Sequence, residues 1–390
     1  MKNIFLVFTF LSSILSFGQT NVGYAAIDKK IALIPQKASG STEDIANYIN
    51  ANFKTENDKI RAAFYWTSSN ISYDVANMFA VNFEETPQDR IAKTLKTKKG
   101  ICGDYAAIFS EIATLVGIKS VVISGYTKQN GKIDKLSHAW CAAKIDDKWY
   151  VFDPTWGSGS LMNGKFVKRI NDYYFKTEPG KIISSHIPFD YLWQFSNYPV
   201  TNTEFYEGKT QINKAKKYFD FEKEIAKQSS LSEIDQLFES AERIEKSGLK
   251  NAMIVESYKS KKEHLNFLRQ KANIEKLNAI VNEMNEAVVL LNDFIFYRNN
   301  KFKPTFQDDE ITNMIQKPRE KLIKCQNDIY TVGSTGTENK SNLSSIKKSI
   351  ESNLALAEEH ASFVKNYISK SKMVRKTMFS KVSWLGIPLN

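Results

Sequence analysis

Residues 96–118 read "KTKKGICGDYAAIFSEIATLVGI" and place Cys102 between a turn rich in lysine and glycine and a run with helical periodicity. Backbone N–H groups in the first turn of a helix carry partial positive charge, which favours a thiolate over a thiol. Gly100 and Gly103 flank the cysteine closely and leave space for a substrate carbonyl beside it. The stretch therefore predicts a helix that begins at a nucleophilic cysteine, whose backbone N–H can face a developing oxyanion.

A nucleophilic thiolate also needs a proton carrier and a group that orients the carrier. His138 starts the strand pattern "HAWCAAKI", and Asp153 ends the strand pattern "KWYVFD" after a short "DD" turn. Antiparallel pairing across such a hairpin sets the start of one strand beside the end of the other. We therefore expect His138 and Asp153 to be neighbours, so that Cys102, His138 and Asp153 form a nucleophile, a base and an orienting carboxylate.

The periodicity of the chain changes near residue 210. Before it, helical patterns at 42–53 and 55–73, with Thr42 and Thr55 as predicted caps, precede short strand patterns from residue 119 onward. This order predicts an α+β domain, helices followed by an antiparallel sheet, over residues 19–210. From residue 211 to 390 the strand patterns are absent and apolar residues recur three and four apart, which predicts a bundle or elongated domain of three to five helices.

The first residues, "MKNIFLVFTFLSSILSFGQT", have the layout of a secretory signal peptide. Lys2 precedes a short apolar run, and the small residue Gly18 is the expected cleavage site, which makes residues 1–18 the signal peptide. The apolar run is short for a membrane span, and no later segment approaches the length that spanning requires. We therefore expect an exported protein, periplasmic or extracellular, without a transmembrane span.

Charge and cysteine content exclude some classes of protein. The net charge of +11 comes from lysines interspersed with acidic residues, and no recognition motif or concentrated basic and aromatic face indicates nucleic-acid binding. Three cysteines, Cys102, Cys141 and Cys325, are an odd number, so a disulfide framework does not organise the fold. Strand alternation sends Cys141 to the face opposite His138, into the core, and Cys325 is expected to be buried among the helices.

Four other ionisable residues have weaker patterns around them. His264 and His360 lie among charged residues and are interpreted as solvated helix positions. His186, in "SSHIPFD", is interpreted as a structural contact of the segment that closes the domain. Asp104 would raise the pKa of the Cys102 thiol if its carboxylate pointed at the sulfur, but from a first helical turn it is expected to interact with the helix dipole.

Four pieces of the sequence resemble the transglutaminase-like superfamily of papain-fold cysteine enzymes. Together they cover roughly residues 58–205, and they read "IRAAFYWTSSNISYD", "GICGDYAAIFSEIATLVGI", "SHAWCAAKIDDKWYVFDPTWG" and "HIPFDYLWQFSNYPVTNTEF". Cys102 matches the family's nucleophile, His138 its histidine and Asp153 its aspartate. The last piece, with a proline followed by "WQ", is most similar to the branch of the kyphoscoliosis-type peptidase and related cytokinesis proteins.

The resemblance implies acyl transfer through a thioester on protein or cell-envelope peptide substrates, with neither a metal nor a cofactor. Attack by water on the thioester gives proteolysis or deamidation, attack by an amine gives cross-linking, and the motifs do not distinguish them. Trp66, Trp140 and Trp156 lie in the matching pieces. They could line a substrate cleft, with Trp66 helping to bind the oxyanion, although core packing is the favoured interpretation of each.

A second hypothesis is a non-catalytic interaction module that holds a partner through the cleft and the helical domain. A binding role needs none of the three residues Cys102, His138 and Asp153, so their presence argues for the enzyme. The helical half has no catalytic motif and suits docking or oligomerisation. Its partner is not indicated by the sequence.

Overall fold

The structure is a computed structural model, and the chain divides into two compact units, residues 1–261 and 262–390. The described residues are 23–79, 85–336, 340–379, 381–382 and 388–389. The predicted signal peptide, residues 1–18, lies outside them. Within the described part of the chain, no helix combines the length and the apolar character needed to cross a bilayer.

The first half of unit 1 is mainly helical, as predicted. In chain order its elements are α1 (Ala25–Ala32), α2 (Thr42–Asn52), α3 (Glu56–Asn70), β1 (Ser72–Tyr73), α4 (Pro87–Thr97), β2 (Lys99–Gly100) and α5 (Cys102–Leu115). Thr55 caps α3 as predicted, because its side chain accepts a hydrogen bond from the Asp58 N–H at 3.1 Å. The predicted cap Thr42 is wrong: Ser41 caps α2 by accepting from the Asp44 N–H at 3.1 Å, and Thr42 is the first helical residue.

A four-stranded antiparallel sheet follows, in the spatial order β5-β4-β3-β8. The strands of this half of the unit are β3 (Ser120–Gln129), β4 (Lys132–Ile145), β5 (Lys148–Phe152), β6 (Gly159–Met162), β7 (Lys165–Lys168) and β8 (His186–Pro188). The predicted "DD" turn joins β4 to β5, and both of its residues, Asp146 and Asp147, have positive φ angles of 47° and 61°. Positive φ at both positions is the signature of a tight type I′ hairpin turn, which fixes the register of these two strands.

Helix α5 lies at the centre of the main core. It packs against α2 and α3 on one side and against β3 and β4 on the other. Its apolar residues, among them Ala106, Phe109 and Ile112, are fully buried. Because α5 is held on both sides, the position of Cys102 at its first turn is fixed relative to the sheet.

Unit 1 also contains helices that the sequence assigned to the helical domain. The remaining helices of the unit are α6 (Pro179–Ile182), which precedes β8, α7 (Asn202–Tyr206), α8 (Phe221–Ser230), α9 (Glu233–Ser247) and the first residues, up to 261, of the helix that begins at Ala252. Of these, α8, α9 and the helix from Ala252 lie beyond residue 210. Arg243 of α9 forms a buried bidentate ion pair with Asp190, with N–O distances of 2.7 and 2.9 Å. This pairing and apolar contacts of Ile244 keep α9 with the sheet domain. The compact unit therefore extends to residue 261, beyond the predicted boundary at 210.

The second unit is helical, so the predicted class, an α+β domain followed by a helical region, is confirmed. Its elements are the part of α10 (Ala252–Asn299) from residue 262 onward, α11 (Asp308–Ile329), α12 (Lys340–Ile368), α13 (Lys372–Thr377), β9 (Lys381–Val382) and β10 (Pro388–Leu389). Cys325 is buried here as predicted, and His264 is exposed. The interpretation of His360 as solvated is wrong, because it is 7% exposed and packs edge-on against Phe294.

Candidate active site

Cys102 lies where the sequence predicts it, at the first residue of α5. Just before it, Gly100 of β2 pairs in parallel with Tyr73 of β1, so a short strand pair delivers the chain to the start of the helix. The Cys102 side chain is half-buried. Burial alone would raise the pKa of this thiol, but hydrogen bonding and positive charge from His138, with a hydrogen bond from the Ala139 backbone N–H, lower it below the ordinary cysteine value.

Asp104 does not direct its charge at the sulfur. One carboxylate oxygen accepts a hydrogen bond from the Ile101 N–H at 2.8 Å, and the other pairs with the Arg90 guanidinium at 2.6 Å. The carboxylate thus caps the first turn of α5, as expected of an acidic residue at a helix N-terminus. The Asp104 carboxylate therefore pairs with the Arg90 charge, and the charged partner of the Cys102 thiolate is His138.

His138 and Asp153 are neighbours, which confirms the expectation from the hairpin. β4 and β5 pair with Cys141 opposite Phe152, and Asp153 follows directly after the end of β5. The His138 Nε2 lies 2.8 Å from the Asp153 Oδ2. The other oxygen of Asp153 accepts the backbone N–H groups of Thr155 at 2.9 Å and of Trp156 at 3.0 Å. The turn after the strand therefore orients the carboxylate toward the imidazole.

Burial and pairing shift the pKa values of this pair in opposite directions. Burial alone would lower the pKa of His138, but the Asp153 carboxylate beside it, together with Cys102, raises it to about 10. Burial would raise the pKa of Asp153, yet the positive charge and hydrogen bond of His138, with help from His186, hold it well below its usual range. The arrangement favours an imidazolium between two anions, the Asp153 carboxylate and the Cys102 thiolate.

His186 is a site residue whose role the sequence did not reveal. Its Nε2 lies 3.1 Å from the same Asp153 Oδ2 that faces His138. It reaches the site from β8, which pairs with β3 on the side of the sheet away from β5. The prediction that His186 is a structural contact agrees with its burial, but it did not include Asp153 as its partner. One feature of the sequence could have indicated this role. His186 is the first residue of "HIPFDYLWQFSNYPVTNTEF", the fourth piece that resembles the family.

Two of the three candidate tryptophans lie against His138. The Trp140 and Trp156 rings have centroids 5.9 and 5.4 Å from the imidazole centroid. Trp66 lies on α3, fully buried in the main core, with the Lys98 ammonium 4.8 Å from its ring centroid. Among the described residues its Nε1 has no hydrogen-bond partner. All three are thus packed side chains, and Trp66 carries a buried donor that remains free.

Two further ionisable side chains of this unit have raised pKa values. Tyr73 was not anticipated: burial raises its pKa to about 12, with further contributions from the negative charges of Cys102, Asp104 and Asp153. Cys141 is fully buried in the main core, and its thiol donates to the Ala106 carbonyl oxygen at 3.1 Å. Burial also raises its pKa, so Cys141 is an unreactive core thiol, as predicted.

The cluster could also be considered as a metal site. Within the described part of the chain, one ligand atom each from His138, Asp153 and His186 lies within 4.8 Å of the other two. Both imidazole Nε2 atoms, however, lie at hydrogen-bond distance from a single carboxylate oxygen. Hydrogen bonds therefore account for this geometry, and the expectation that the chemistry needs no metal and no cofactor stays a prediction.

Comparison with known proteins identifies the domain around this site. Residues 43–154 match the family model of the transglutaminase-like superfamily. Human kyphoscoliosis peptidase is 30% identical over 159 residues, which are 39% of this chain and 24% of that protein. Hillarin of Drosophila melanogaster is 22% identical over 204 residues, 47% of this chain and 24% of that protein. A solved structure of a TGase covers 41% of this chain and 38% of its own, with 20% identity and a TM-score of 0.24.

The chain therefore carries a transglutaminase-like domain, and the resemblance stated from its motifs is confirmed. It spans about a quarter of the length of these curated relatives. The match includes the positions of Cys102, His138 and Asp153.

Proposed function

We propose that unit 1 is a cysteine-dependent acyl-transfer enzyme, either a peptidase or an amide acyltransferase, with Cys102, His138 and Asp153 as its catalytic residues. The observation that carries the proposal is that His138 interacts with the half-buried Cys102 thiol on one side and with the buried Asp153 carboxylate on the other. A core without such a role gains nothing from placing an ionisable cysteine, a histidine and a carboxylate in one chain of contacts.

The resting site holds the proton on His138, which leaves Cys102 as a thiolate. The sulfur attacks an amide carbonyl carbon, and the carbonyl oxygen takes up the negative charge. The Cys102 backbone N–H is the donor we assign to this oxyanion. A role for Trp66 in binding the oxyanion stays a prediction, since its Nε1 is unpartnered among the described residues but its side chain is buried in the core. The imidazolium then gives its proton to the departing nitrogen, the C–N bond breaks, and a thioester to Cys102 remains.

The second half of the reaction reverses the proton movement. A water molecule or an amine gives a proton to neutral His138 and attacks the thioester carbonyl, and the sulfur leaves as the thiolate. Water yields a carboxylic acid and an amine yields a new amide. Asp153 stays ionised throughout and stabilises the imidazolium each time it forms.

We propose protein or cell-envelope peptides as substrates, reached after export to the periplasm or the extracellular space. A transglutaminase-like domain is consistent with a protein substrate. In this proposal the helical second unit contributes docking or oligomerisation. Its described residues contain no group of three His, Cys, Asp or Glu side chains as close together as His138, Asp153 and His186.

The test is the pH dependence of Cys102 alkylation by iodoacetamide in the folded protein, compared with the His138→Ala variant and with Cys102→Ala as a blank. Because the pKa of Cys102 is lowered, the wild-type thiol should react well below pH ~8.5, the ordinary midpoint for cysteine. His138→Ala should move the midpoint up toward that value. If Cys102 titrates normally and is insensitive to His138, the non-catalytic interaction module becomes the better description.

A further inference from the structure

The imidazole of His186 is completely buried and both of its ring nitrogens have partners. Nε2 lies 3.1 Å from the Asp153 Oδ2, and Nδ1 lies 2.8 Å from the Ser185 Oγ. The rings of Trp156 and Trp140 meet it edge-on, with centroids 4.6 and 5.2 Å away. These contacts hold the ring in one orientation.

The contacts also decide which nitrogen carries the proton. The ionised Asp153 carboxylate only accepts hydrogen bonds, so the Nε2 of His186 must carry a hydrogen and donate it. Burial, opposed by the charges of Asp153 and Asp134 and aided by that of His138, lowers the pKa of His186. The ring is therefore neutral, and its Nδ1 accepts the hydroxyl hydrogen of Ser185. The other acceptor near this hydroxyl, the Ile182 carbonyl oxygen, is farther away, at 3.2 Å.

Asp153 consequently accepts four hydrogen bonds. Only one of the four donors, His138, gains and loses a proton during the proposed reaction. Oδ1 is held by two backbone N–H groups, and Oδ2 is shared between His138 and His186. His138 alternates between imidazolium and imidazole as the thioester forms and breaks. His186 keeps one donor on Oδ2 in both states, so the carboxylate stays in place when its attraction to His138 weakens.

The sheet is built so that β8 can bring His186 this close. β8 pairs with β3, with Thr127 opposite His186 and Gly125 opposite Pro188. A Cβ atom on Gly125 would lie 2.2 Å from the Ile187 carbonyl oxygen and 2.4 Å from the Trp140 ring. Only glycine fits at this position, and the close approach lets β8 and Trp140 pack around the site.

From these contacts we infer that His186 is a positioning residue, which holds Asp153 as a neutral Nε2–H donor whose tautomer is fixed by the Ser185 hydroxyl. Its effect on the reaction rests on the proposed function, since it acts through Asp153 on His138 and Cys102. Its tautomer and its hydrogen bond to Asp153 are properties of the resting fold and can be measured separately.

The first test compares three variants of the full chain by the pH midpoint of Cys102 alkylation. His186→Leu removes the donor, and we expect alkylation at pH 6 to slow by about tenfold or more, which corresponds to a midpoint shift of about one unit. His186→Gln keeps an N–H at the Nε2 position and should react within about threefold of wild type. Ser185→Ala should lie between them, because the tautomer with hydrogen on Nδ1 then becomes accessible. Equal midpoints for the Leu and Gln variants would overturn the inference, because a purely structural role does not distinguish them in this way.

The second test does not depend on a reactive thiol or on a folded leucine variant. ¹⁵N nuclear magnetic resonance of histidine-labelled Cys102→Ala protein should show His186 neutral, with hydrogen on Nε2 and none on Nδ1. Ser185→Ala in the same background should add a population with hydrogen on Nδ1. A resting His186 with hydrogen on Nδ1, or a charged His186, would overturn the inference. If Cys102 proves unactivated but the tautomer is as stated, the proposed function fails while the assignment of His186 as the donor to Asp153 stands.

Discussion

The two compact units bury different kinds of side chain. In unit 1, six arginine, aspartate and histidine side chains are buried among the described residues: Arg61, His138, Asp153, His186, Asp190 and Arg243. In the described part of the second unit the buried polar side chains are Thr335 and His360, and its cores consist of residues such as Leu291, Phe294 and Ile315. Buried charges are costly unless they are paired, so their concentration in one unit needs an explanation.

The six buried side chains belong to three clusters, and in two of them an arginine is fully paired with carboxylates. Arg61 is bound by Asp28 and Asp172, and Arg243 is bound by Asp190. The third cluster is different, because its chain of contacts ends at Cys102, whose side chain is only half-buried. If the proposed function holds, reactivity and stability depend on separate residues in this molecule, which variants in each unit can test.

The largest effect is expected from Asp153→Asn, with Asp190→Asn as the matched control. A neutral amide cannot stabilise the His138 imidazolium, so alkylation of Cys102 at pH 6 should slow by about 10²-fold or more. Asp190→Asn also removes a buried carboxylate from an ion pair, and it should lower the free energy of unfolding by about 3 kcal/mol. Its folded form should nevertheless alkylate at the wild-type rate. Equal losses of reactivity in the two variants would mean that Cys102 responds to the stability of the unit and not to Asp153.

The largest change in stability is expected in the second unit, from Phe294→Ala. Phe294 is 0% exposed, and its truncation should lower the free energy of unfolding of that unit by about 3–5 kcal/mol. Phe296, two positions along the same helix, is 71% exposed, so Phe296→Ala should change stability by less than about 0.5 kcal/mol. The buried Cys325 thiol reports opening of the unit through its labelling rate in moderate urea. Cys102 should react at the wild-type rate in both variants, and a changed rate would show that the units are coupled.

The residues that the sequence identified are those fixed by local structure. The position of Cys102 was predictable because the residues next to it in the sequence determine where the helix begins. His138 and Asp153 were predictable as neighbours because a two-residue turn fixes their register. The fold class was predictable for the same reason, since helical and alternating patterns are local properties of the chain.

The features that the sequence missed depend on long-range pairing. His186 is separated by 33 residues from Asp153, and it meets Asp153 only because β8 pairs with β3. The extent of unit 1 depends on the Arg243–Asp190 ion pair, across 53 residues, whereas the helical pattern of α9 fits either unit equally well. His360 is flanked by Glu359 and was interpreted as solvated, yet tertiary packing buries it against Phe294. No local periodicity contains this information.

The smallest expected effect is on the pH dependence of stability. It comes from two buried histidines, one in each unit. Burial lowers the pKa of His186, and burial together with the Arg298 charge lowers that of His360. Each therefore takes up a proton less readily in the folded state than in the unfolded state, whose pKa is near ~6.5, so its contribution to stability is present above that pH and is lost as the pH falls. Each histidine can contribute a slope of at most about 1.4 kcal/mol per pH unit.

The window between pH 6 and pH 5 isolates this effect in the Cys102→Ala background, which removes the titrating thiol. His138 contributes little to the change there, because it is charged in the folded state, where its pKa is raised, and mostly charged in the unfolded state, where its pKa is near 6.5. Urea unfolding, followed by labelling of the buried Cys141 thiol for unit 1 and of the buried Cys325 thiol for the second unit, should show both units losing stability on acidification. His186→Gln should reduce the pH dependence of the free energy of unfolding in unit 1 alone. His360→Gln should reduce it in the second unit alone. If either substitution flattens both dependences, the two units do not unfold independently, and the separation between a chemical unit and a packing unit does not hold.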